Sequence, residues 1–403
     1  MSIWVMKSRI IITCAKGVSP YLQAELGALN FTILTVSEAA VEIEGSLEDA
    51  MTLDLKLRTA HRVLYLYHAF TARTLQDLYG NLVRLPWEEV LDADGYACVT
   101  SFVDTPAISD GRIVNLKGKD AMADRFRQVR NRRPDSGAAR DRTVIHLYWR
   151  NNQVLVYLDT SGESLSKRGY RKIPLRAPMQ ETLAAAVIMA TGWRGEGNFI
   201  NPMCGSGTLA IEAALIALDR APGLVRNNYG FMHLNGFQPS LWRDMRTIAR
   251  KAVRKQLSGK IVATDIRKDA VDAAIQNART AGVDHLIEFA VCDYRETLIP
   301  EGNGIIVLNP PYGERLGEIA ALERIYEGIG DFFKLRGMGY QGYVFTGNAA
   351  LAKKIGLKTK RRIPFYNGEI ECRLLAYELY TGSRKGRNEA ISGNPTSSAK
   401  EDS

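Results

Sequence analysis

The sequence lacks the cysteine and histidine patterns that build disulfide-rich domains and structural metal sites. Its five cysteines lie far apart with no CxxC spacing, and its five histidines form no HExxH motif. An odd and scattered set of cysteines argues against both a disulfide framework and structural zinc. We therefore expect no metal, and we expect the protein to work in the reducing cytoplasm.

Long apolar runs are also missing from the chain. No stretch approaches the roughly 20 apolar residues that span a bilayer, so we expect no membrane association. The first residues alternate like a strand, without a basic leader or a small-residue cleavage site, which argues against a signal peptide. With 403 residues and a formal charge of +9, the chain has room for two or three domains and favours a polyanionic partner, nucleic acid first.

The pattern of the chain changes near residue 163. Residues 1–162 alternate short strands with helices, which predicts an α+β module of small units, and Asn151-Asn152 between two alternating runs indicates a hairpin. Residues 163–178 are polar and basic with little periodicity, so we interpret them as a linker. Strand–helix units from 179 to 382 predict a parallel α/β sheet, and residues 383–403 have the low apolar content of a disordered tail.

Arginines are concentrated in two segments. Between residues 124 and 142 arginine dominates over lysine, which suits two-pronged contacts with phosphate, although a solvated helix face followed by a loop is the alternative. The linker carries a second basic cluster around Tyr170. The candidate RNA-binding residues in these segments are Arg125, Arg130, Arg132, Arg133, Arg168 and Arg171.

A glycine-rich turn between a strand and a helix is the first motif that carries chemistry. Residues 201–208 (NPMCGSGT) follow the short apolar run 198–200 and precede an apolar helix. Glycines let the backbone approach a ligand, and a helix N-terminus offers free N–H groups to an anion. The spacing matches neither the full GxGxxG pattern nor a Walker loop, and a purely structural turn is the alternative. The cofactor-binding candidates are Asn201, Met203, Cys204, Gly205, Gly207 and Thr208.

Acidic residues follow the next two predicted strands. Asp265, with Ile266 after it, is placed to accept both ribose hydroxyls of a nucleoside cofactor, although a helix N-cap is the alternative. It falls 64 positions after Asn201, where about 20 are usual, so we expect an insertion over residues 219–260. Asp293 lies just past the third strand and could accept from an adenine amine. The neighbours of the two acidic residues, Ile266 and Tyr294, are further cofactor-binding candidates.

The fourth strand, residues 304–308 (GIIVL), ends in Asn309-Pro310-Pro311-Tyr312. Two prolines stiffen a backbone that brings a side-chain amide, a free carbonyl and a flat ring to one point. This combination suits a site that binds a planar group with an exocyclic amine, whereas the alternative is a rigid turn. Open α/β sheets bind ligands at the carboxyl ends of their strands, so four such strand ends predict one shared site.

These motifs together resemble class I methyltransferases that depend on S-adenosyl-L-methionine (SAM) and methylate amino groups. Three further segments, at 161–171 (SGESLSKRGYR), 177–186 (APMQETLAAA) and 211–226 (IEAALIALDRAPGLVR), resemble the bacterial 23S ribosomal RNA guanine-N2 methyltransferases. The resemblance runs from about residue 8 to 380, so we expect no second, fused methyltransferase domain. One departure is Asn201, because the first motif of the family usually begins with an acidic residue.

The resemblance implies an α/β fold: a Rossmann-like methyltransferase domain whose mostly parallel seven-stranded sheet has an antiparallel C-terminal hairpin. An α+β module precedes it, with a ferredoxin-like segment over residues 1–50 and a THUMP RNA-binding domain over 51–162. The implied cofactor is SAM and the implied partner is RNA, ribosomal before transfer RNA. Thr182 joins the implied cofactor site.

The resemblance also gives roles to the Asn-Pro-Pro-Tyr residues. Asn309 and the Pro310 carbonyl are the candidate acceptors for the two N–H groups of the guanine amine, and Tyr312 stacks on the base; Asn309 also borders the cofactor. Methylation of adenine N6 is an alternative, because the same tetrapeptide serves that amine. A non-catalytic RNA-binding factor of the same fold is a further alternative.

Overall fold

The computed structural model describes residues 3–106, 108, 110–173, 175, 179–312 and 319–379. They form two β-sheets, one in the N-terminal module and one in the C-terminal domain. The tail predicted at 383–403 lies outside the described residues. Within the described part of the chain, no helix has the length and apolar content needed to cross a membrane.

The N-terminal module is one eight-stranded sheet covered by helices. Its strands are β1 (Ser8–Cys14), β2 (Ile33–Val36), β3 (Ala40–Gly45), β4 (Ala60–Thr71), β5 (Tyr96–Asp104), β6 (Asp135–Ser136), β7 (Thr143–Arg150) and β8 (Gln153–Asp159). Its helices are α1 (Ser19–Ala28), α2 (Leu47–Lys56), α3 (Leu75–Leu82) and α4 (Gly111–Arg130). The strand order is β2-β3-β1-β4-β8-β7-β5-β6, and Asn151 takes the left-handed conformation (φ 53°) in the predicted β7–β8 hairpin.

The boundary predicted between residues 50 and 51 is misplaced. It cuts α2, which begins with a capping box in which Ser46 and Asp49 each accept from the backbone N–H of the other. Strand β4 then pairs with β1, with Ile10 opposite Tyr65, so the ferredoxin-like segment and the following residues share a single sheet. The error arises because backbone pairing between distant strands leaves no local mark in the sequence.

The C-terminal domain has the predicted seven-stranded sheet. Its strands are β9 (Asn198–Pro202), β10 (Ile261–Asp265), β11 (Ile287–Val291), β12 (Gly304–Leu308), β13 (Tyr340–Thr346), β14 (Arg361–Asn367) and β15 (Ile370–Glu378). Its helices are α5 (Glu181–Thr191), α6 (Thr208–Ala217), α7 (Pro239–Lys251), α8 (Lys268–Ala281), α9 (Ile319–Arg336) and α10 (Ala349–Lys354). The order is β11-β10-β9-β12-β13-β15-β14, with β9 to β13 parallel and the β14–β15 hairpin antiparallel, as predicted.

The insertion expected at residues 219–260 separates α6 from β10 and joins the two halves of the molecule. Phe231 N donates to Thr160 O (3.0 Å), and Asn235 N donates to Val90 O (2.9 Å). The Trp4 indole N–H, from the N-terminus, donates to Asn235 O at 2.7 Å. The insertion therefore holds the N-terminal module against the methyltransferase domain.

The segment interpreted as a linker is a packed connector. Its residues 163–173 form no helix or strand, yet Leu165, Arg168 and Tyr170 are almost fully buried. The Arg168 guanidinium contacts both carboxylate oxygens of Glu212 on α6, at 3.4 and 3.5 Å. A basic composition suggested an exposed linker, but Arg168 is neutralised inside the protein, whereas Lys167 lies on the surface.

Candidate active site

The structure brings the four predicted strand ends to one edge of the C-terminal sheet. In the order β11-β10-β9-β12 the strands present Asp293, Asp265, the glycine turn and Asn309 side by side. All four strands are parallel, so their carboxyl ends point the same way. This is the edge at which open α/β sheets bind ligands.

The glycine turn has the backbone that its sequence predicts. Met203, Gly205 and Gly207 have positive φ angles of 58°, 55° and 83°. A Cβ on Gly207 would lie 2.9 Å from the Cβ of Ala274, so this glycine lets the turn pack closely on α8. A Cβ on Gly205 would meet nothing within 4 Å, which leaves open space at the point where a ligand approaches.

Asp265 is fixed by two backbone N–H groups. Its Oδ2 accepts from Gly205 N at 2.9 Å, and its Oδ1 accepts from Arg267 N at 3.0 Å. Helix α8 has Arg267 as its N-cap, so the alternative of a helix-capping aspartate does not hold. A carboxylate has about four lone-pair sites, so two acceptor positions remain, which fits the two ribose hydroxyls of SAM.

The neighbouring strand ends suit the adenine part of the cofactor. Hydrogen bonds from Arg295 lower the pKa of Asp293, with Nε and Nη2 at 2.8 and 2.9 Å from its two oxygens. Ile266 is an apolar side chain that is 68% exposed at the end of β10. An ionised acceptor and an uncovered apolar surface therefore lie where an amine-bearing base is expected.

The side chains of two predicted cofactor-binding residues, Tyr294 and Asn201, pack inside the protein. Tyr294 is 8% exposed, donates to Ile325 O (3.2 Å) and packs edge-to-face on Phe332, so its ring belongs to the core. Asn201 is fully buried, and its Nδ2 donates to Val307 O at 2.8 Å, which braces β9 against β12. These two side chains stabilise the sheet.

Three other predicted cofactor residues are largely buried. Burial raises the pKa of the Cys204 thiol far above its ordinary value, so this cysteine is a neutral, small apolar group. The Thr182 hydroxyl is 3.1 Å from His61 Nε2, a contact between α5 and the N-terminal module. Thr208 accepts from Arg171 Nη2 at 3.0 Å. A backbone contact of these residues with SAM stays a prediction.

Two of the arginines predicted to contact RNA make contacts inside the protein. Arg168 is 2% exposed and paired with Glu212, so it does not face solvent. Arg171 is partly buried and donates to Met179 O and Thr208 beside the glycine turn, so its contact with RNA stays a prediction. Arg125 pairs with Glu88, and Arg132 pairs with Asp94 at 2.9 Å. Exposed residues Arg130 and Arg133, near the end of α4, remain candidates for contacting RNA.

Asn309 leaves a buried acceptor unpaired. Its Oδ1 is inaccessible to solvent and has no hydrogen-bond partner among the described residues, and the Pro310 beside it is buried. An unsatisfied buried polar atom costs about 1–3 kcal/mol. At the carboxyl end of a parallel strand, such an atom is placed to accept an N–H group from a ligand.

A residue that the sequence did not identify holds Tyr312. Asn367, which begins the turn of the β14–β15 hairpin, donates from Nδ2 to the Tyr312 hydroxyl at 2.9 Å. The ring also lies against Gly347, where an added Cβ would be 3.2 Å from it. Burial raises the pKa of Tyr312 to about 12, so the phenol is neutral. The antiparallel hairpin therefore orients the ring beside Asn309.

This strand order, with a glycine turn, a ribose-type aspartate and Asn-Pro-Pro-Tyr at adjacent strand ends, defines a class I SAM-dependent methyltransferase. Residues 168–376 match the family model described as RMKL-like, methyltransferase domain. Residues 9–64 match the model of the RlmL ferredoxin-like domain. The chain belongs to the RMKL-like methyltransferase family, and its cofactor is SAM.

Known relatives agree with this assignment. The ribosomal RNA large subunit methyltransferase K/L of Syntrophotalea carbinolica is 38% identical over 382 residues, which cover 92% of this chain and 53% of the relative. A putative RNA methyltransferase of Synechocystis is 32% identical over 368 residues, 91% of this chain and 96% of the relative. A putative methyltransferase solved with SAH has a TM-score of 0.83 at 27% identity, covering 94% and 99% of the two chains. The chain spans about half the length of the K/L relative.

Replacing Asp265 by alanine is expected to weaken SAM binding by about 10- to 100-fold, because it removes the ribose acceptor and the bond that holds Gly205. Isothermal titration calorimetry with SAM measures the change. Asp269→Ala is the matched control, since Asp269 lies four residues on, is exposed and pairs with Arg267. Equal affinity in wild type and Asp265→Ala would contradict the ribose assignment.

Proposed function

We propose that the protein transfers a methyl group from SAM to the exocyclic N2 amine of a guanine in large-subunit ribosomal RNA. The observation that carries the proposal is the buried Oδ1 of Asn309, which has no hydrogen-bond partner among the residues described. The Pro310 carbonyl is next to it, and Asn367 holds the Tyr312 ring. A planar base that enters this corner supplies the missing N–H donor.

The two acceptors perform a specific task on the amine. A guanine amine is delocalised into its ring and is a poor nucleophile. Asn309 Oδ1 and the Pro310 carbonyl accept its two N–H bonds, which draws the nitrogen towards tetrahedral geometry and frees its lone pair for attack. When bound, SAM supplies a methyl group already activated by its sulfonium. The protein contributes positioning and electrostatic stabilisation, so no strong base is required before transfer.

The proposal that the base belongs to RNA has independent support. The chain carries a formal charge of +9, and exposed Arg130 and Arg133 lie on its N-terminal module. A base must leave its stack to reach a pocket of this kind, and folded RNA offers such bases in loops and bulges. The K/L relative is named as a ribosomal RNA methyltransferase and the Synechocystis relative as an RNA methyltransferase, which favours the same substrate class.

Two alternative substrates share this chemistry. The same N–H acceptors serve the N6 amine of adenine, and transfer RNA is a second source of guanines. The residue before Asn309 is Leu308, fully buried, where an aspartate would favour DNA adenine. This favours guanine in RNA over adenine in DNA.

Transfer of labelled methyl from SAM to separated large-subunit ribosomal RNA, transfer RNA and DNA tests the proposal. We expect label in the ribosomal RNA. A transcript made with inosine, which lacks the N2 amine, is expected to accept no methyl. Label only in transfer RNA would reassign the substrate, and equal labelling of the inosine transcript would exclude the guanine amine.

A further inference from the structure

A cavity lies beside the Asn-Pro-Pro-Tyr corner, between α10 and the β14–β15 hairpin. Its volume of about 520 Å³ falls in the range of small-molecule pockets. We call it the hairpin pocket. Its polar lining consists of Thr346, Lys353, Thr359, Arg362, Glu371 and Arg373.

The hairpin pocket adjoins the ring proposed to stack on the target base. Gly347 lines the pocket, and an added Cβ on this glycine would lie 3.2 Å from the Tyr312 ring. Thr346, the preceding residue, also lines it and shares a hydrogen bond of 2.7 Å with Tyr326. An RNA chain whose base stacks on Tyr312 can therefore place its neighbouring nucleotide in the pocket.

Two cations of the pocket have no carboxylate partner among the described residues: Lys353 and Arg362. Arg362 Nε donates to the Thr359 hydroxyl at 3.1 Å, which orients the guanidinium without neutralising it. Their neighbours outside the pocket are paired, Lys354 with Glu323 at 3.1 Å and Lys360 with Glu378. Both side chains are exposed, and cations without a carboxylate partner that line one cavity suit an anionic ligand.

The rest of the lining suits a nucleobase. Ala349, Ala352, Leu357 and Leu375 give the pocket an apolar wall. Glu371 is held by Arg373 at 3.1 Å, and its remaining lone pairs can accept N–H groups from a base edge. The pocket thus has cations that can bind a phosphate and an apolar wall that can contact a base.

We propose that the hairpin pocket binds the RNA nucleotide next to the target guanosine. Its phosphate contacts Lys353 and Arg362, and its base lies on the apolar wall with its edge towards Glu371. The inference rests on the proposed function for the identity of the polymer. Holding the adjacent nucleotide keeps the target base unstacked and selects the sequence around it.

The double variant Lys353→Ala/Arg362→Ala tests the proposal against the matched control Lys354→Ala/Arg361→Ala, which removes the same charge from adjacent positions. We expect the pocket variant to raise the KM for RNA about tenfold and to lower the slope of log affinity against log salt by about 0.7. The SAM Kd and the melting temperature are expected to stay at the wild-type values. The control is expected to stay within twofold of wild type.

Two readouts separate failure of this inference from failure of the proposed function. If wild type methylates RNA and both variants match it in KM and salt slope, the pocket proposal is wrong and the function stands. Fluorescence anisotropy with a short single-stranded oligoribonucleotide measures RNA binding without turnover. If the pocket variant and the control lose RNA binding equally, the pocket proposal is wrong, even if wild type shows no methyl transfer.

Discussion

Replacing Asn309 by alanine is expected to lower kcat for methyl transfer by about 10³-fold, because a positioned acceptor at the reacting amine is lost. The amide Oδ1 is buried and has no hydrogen-bond partner in the part of the chain that the structure describes, so it is available to the proposed target amine. The SAM Kd is expected to change by less than about twofold, because the residues that we propose hold the cofactor, Asp265 and the glycine turn, are left intact. Single-turnover kinetics and calorimetry measure the two quantities separately.

Asn303→Ala is the matched control for this variant. Asn303 is exposed and precedes the opposite end of β12, so it tests whether loss of any asparagine near this strand disturbs the sheet. Asn309→Asp keeps an acceptor and is expected to retain more activity than the alanine variant. Substantial turnover by Asn309→Ala would show that the amide is not part of the catalytic machinery.

Removing the Glu212 carboxylate is expected to destabilise the protein by about 3–5 kcal/mol, the cost of leaving one member of a buried ion pair alone. Glu212 is fully buried and Arg168 is 2% exposed, so water cannot replace the lost partner. The carboxylate also accepts from the Tyr170 hydroxyl at 3.1 Å, which the Glu212→Ala variant leaves unpaired. Urea denaturation followed by circular dichroism measures the change in unfolding free energy.

The surface pair Glu163–Lys167, in the same segment, is the control for this prediction. Its side chains are 42% and 73% exposed, so Glu163→Ala is expected to change the unfolding free energy by less than about 1 kcal/mol. The double variant Arg168→Met/Glu212→Leu removes both charges and is expected to recover most of the loss. A small effect of Glu212→Ala would mean that Arg168 is not held by this pair.

The four strand ends could be predicted because their signals are local. Apolar runs such as 304–308 lie within one strand, and the special residues follow directly after them. Parallel strands buried on both faces have continuous apolar sequences, which sets them apart from the alternating strands of the N-terminal module. Asp265 and Asn309 therefore met at one edge as expected.

The roles that the sequence did not reveal depend on distant partners. Arg168 looked like part of an exposed basic cluster, but its partner Glu212 lies 44 residues further on. Asn367 precedes Gly368, a pair typical of a tight turn, and nothing local shows that its amide holds Tyr312, 55 residues earlier. Tyr294 followed an acidic strand end and was assigned to the cofactor, whereas its ring packs under α9. Burial and pairing decide these roles, and both arise from tertiary contacts.

Mass-spectrometric identification of the methylated nucleoside tests directly whether the methyl group goes to the N2 amine of guanine. RNA is incubated with SAM and wild-type protein, or with the Asn309→Ala variant, and digested to nucleosides. We expect N2-methylguanosine with wild type and a rate of its formation about 10³-fold lower with the variant. N6-methyladenosine in place of N2-methylguanosine would contradict it.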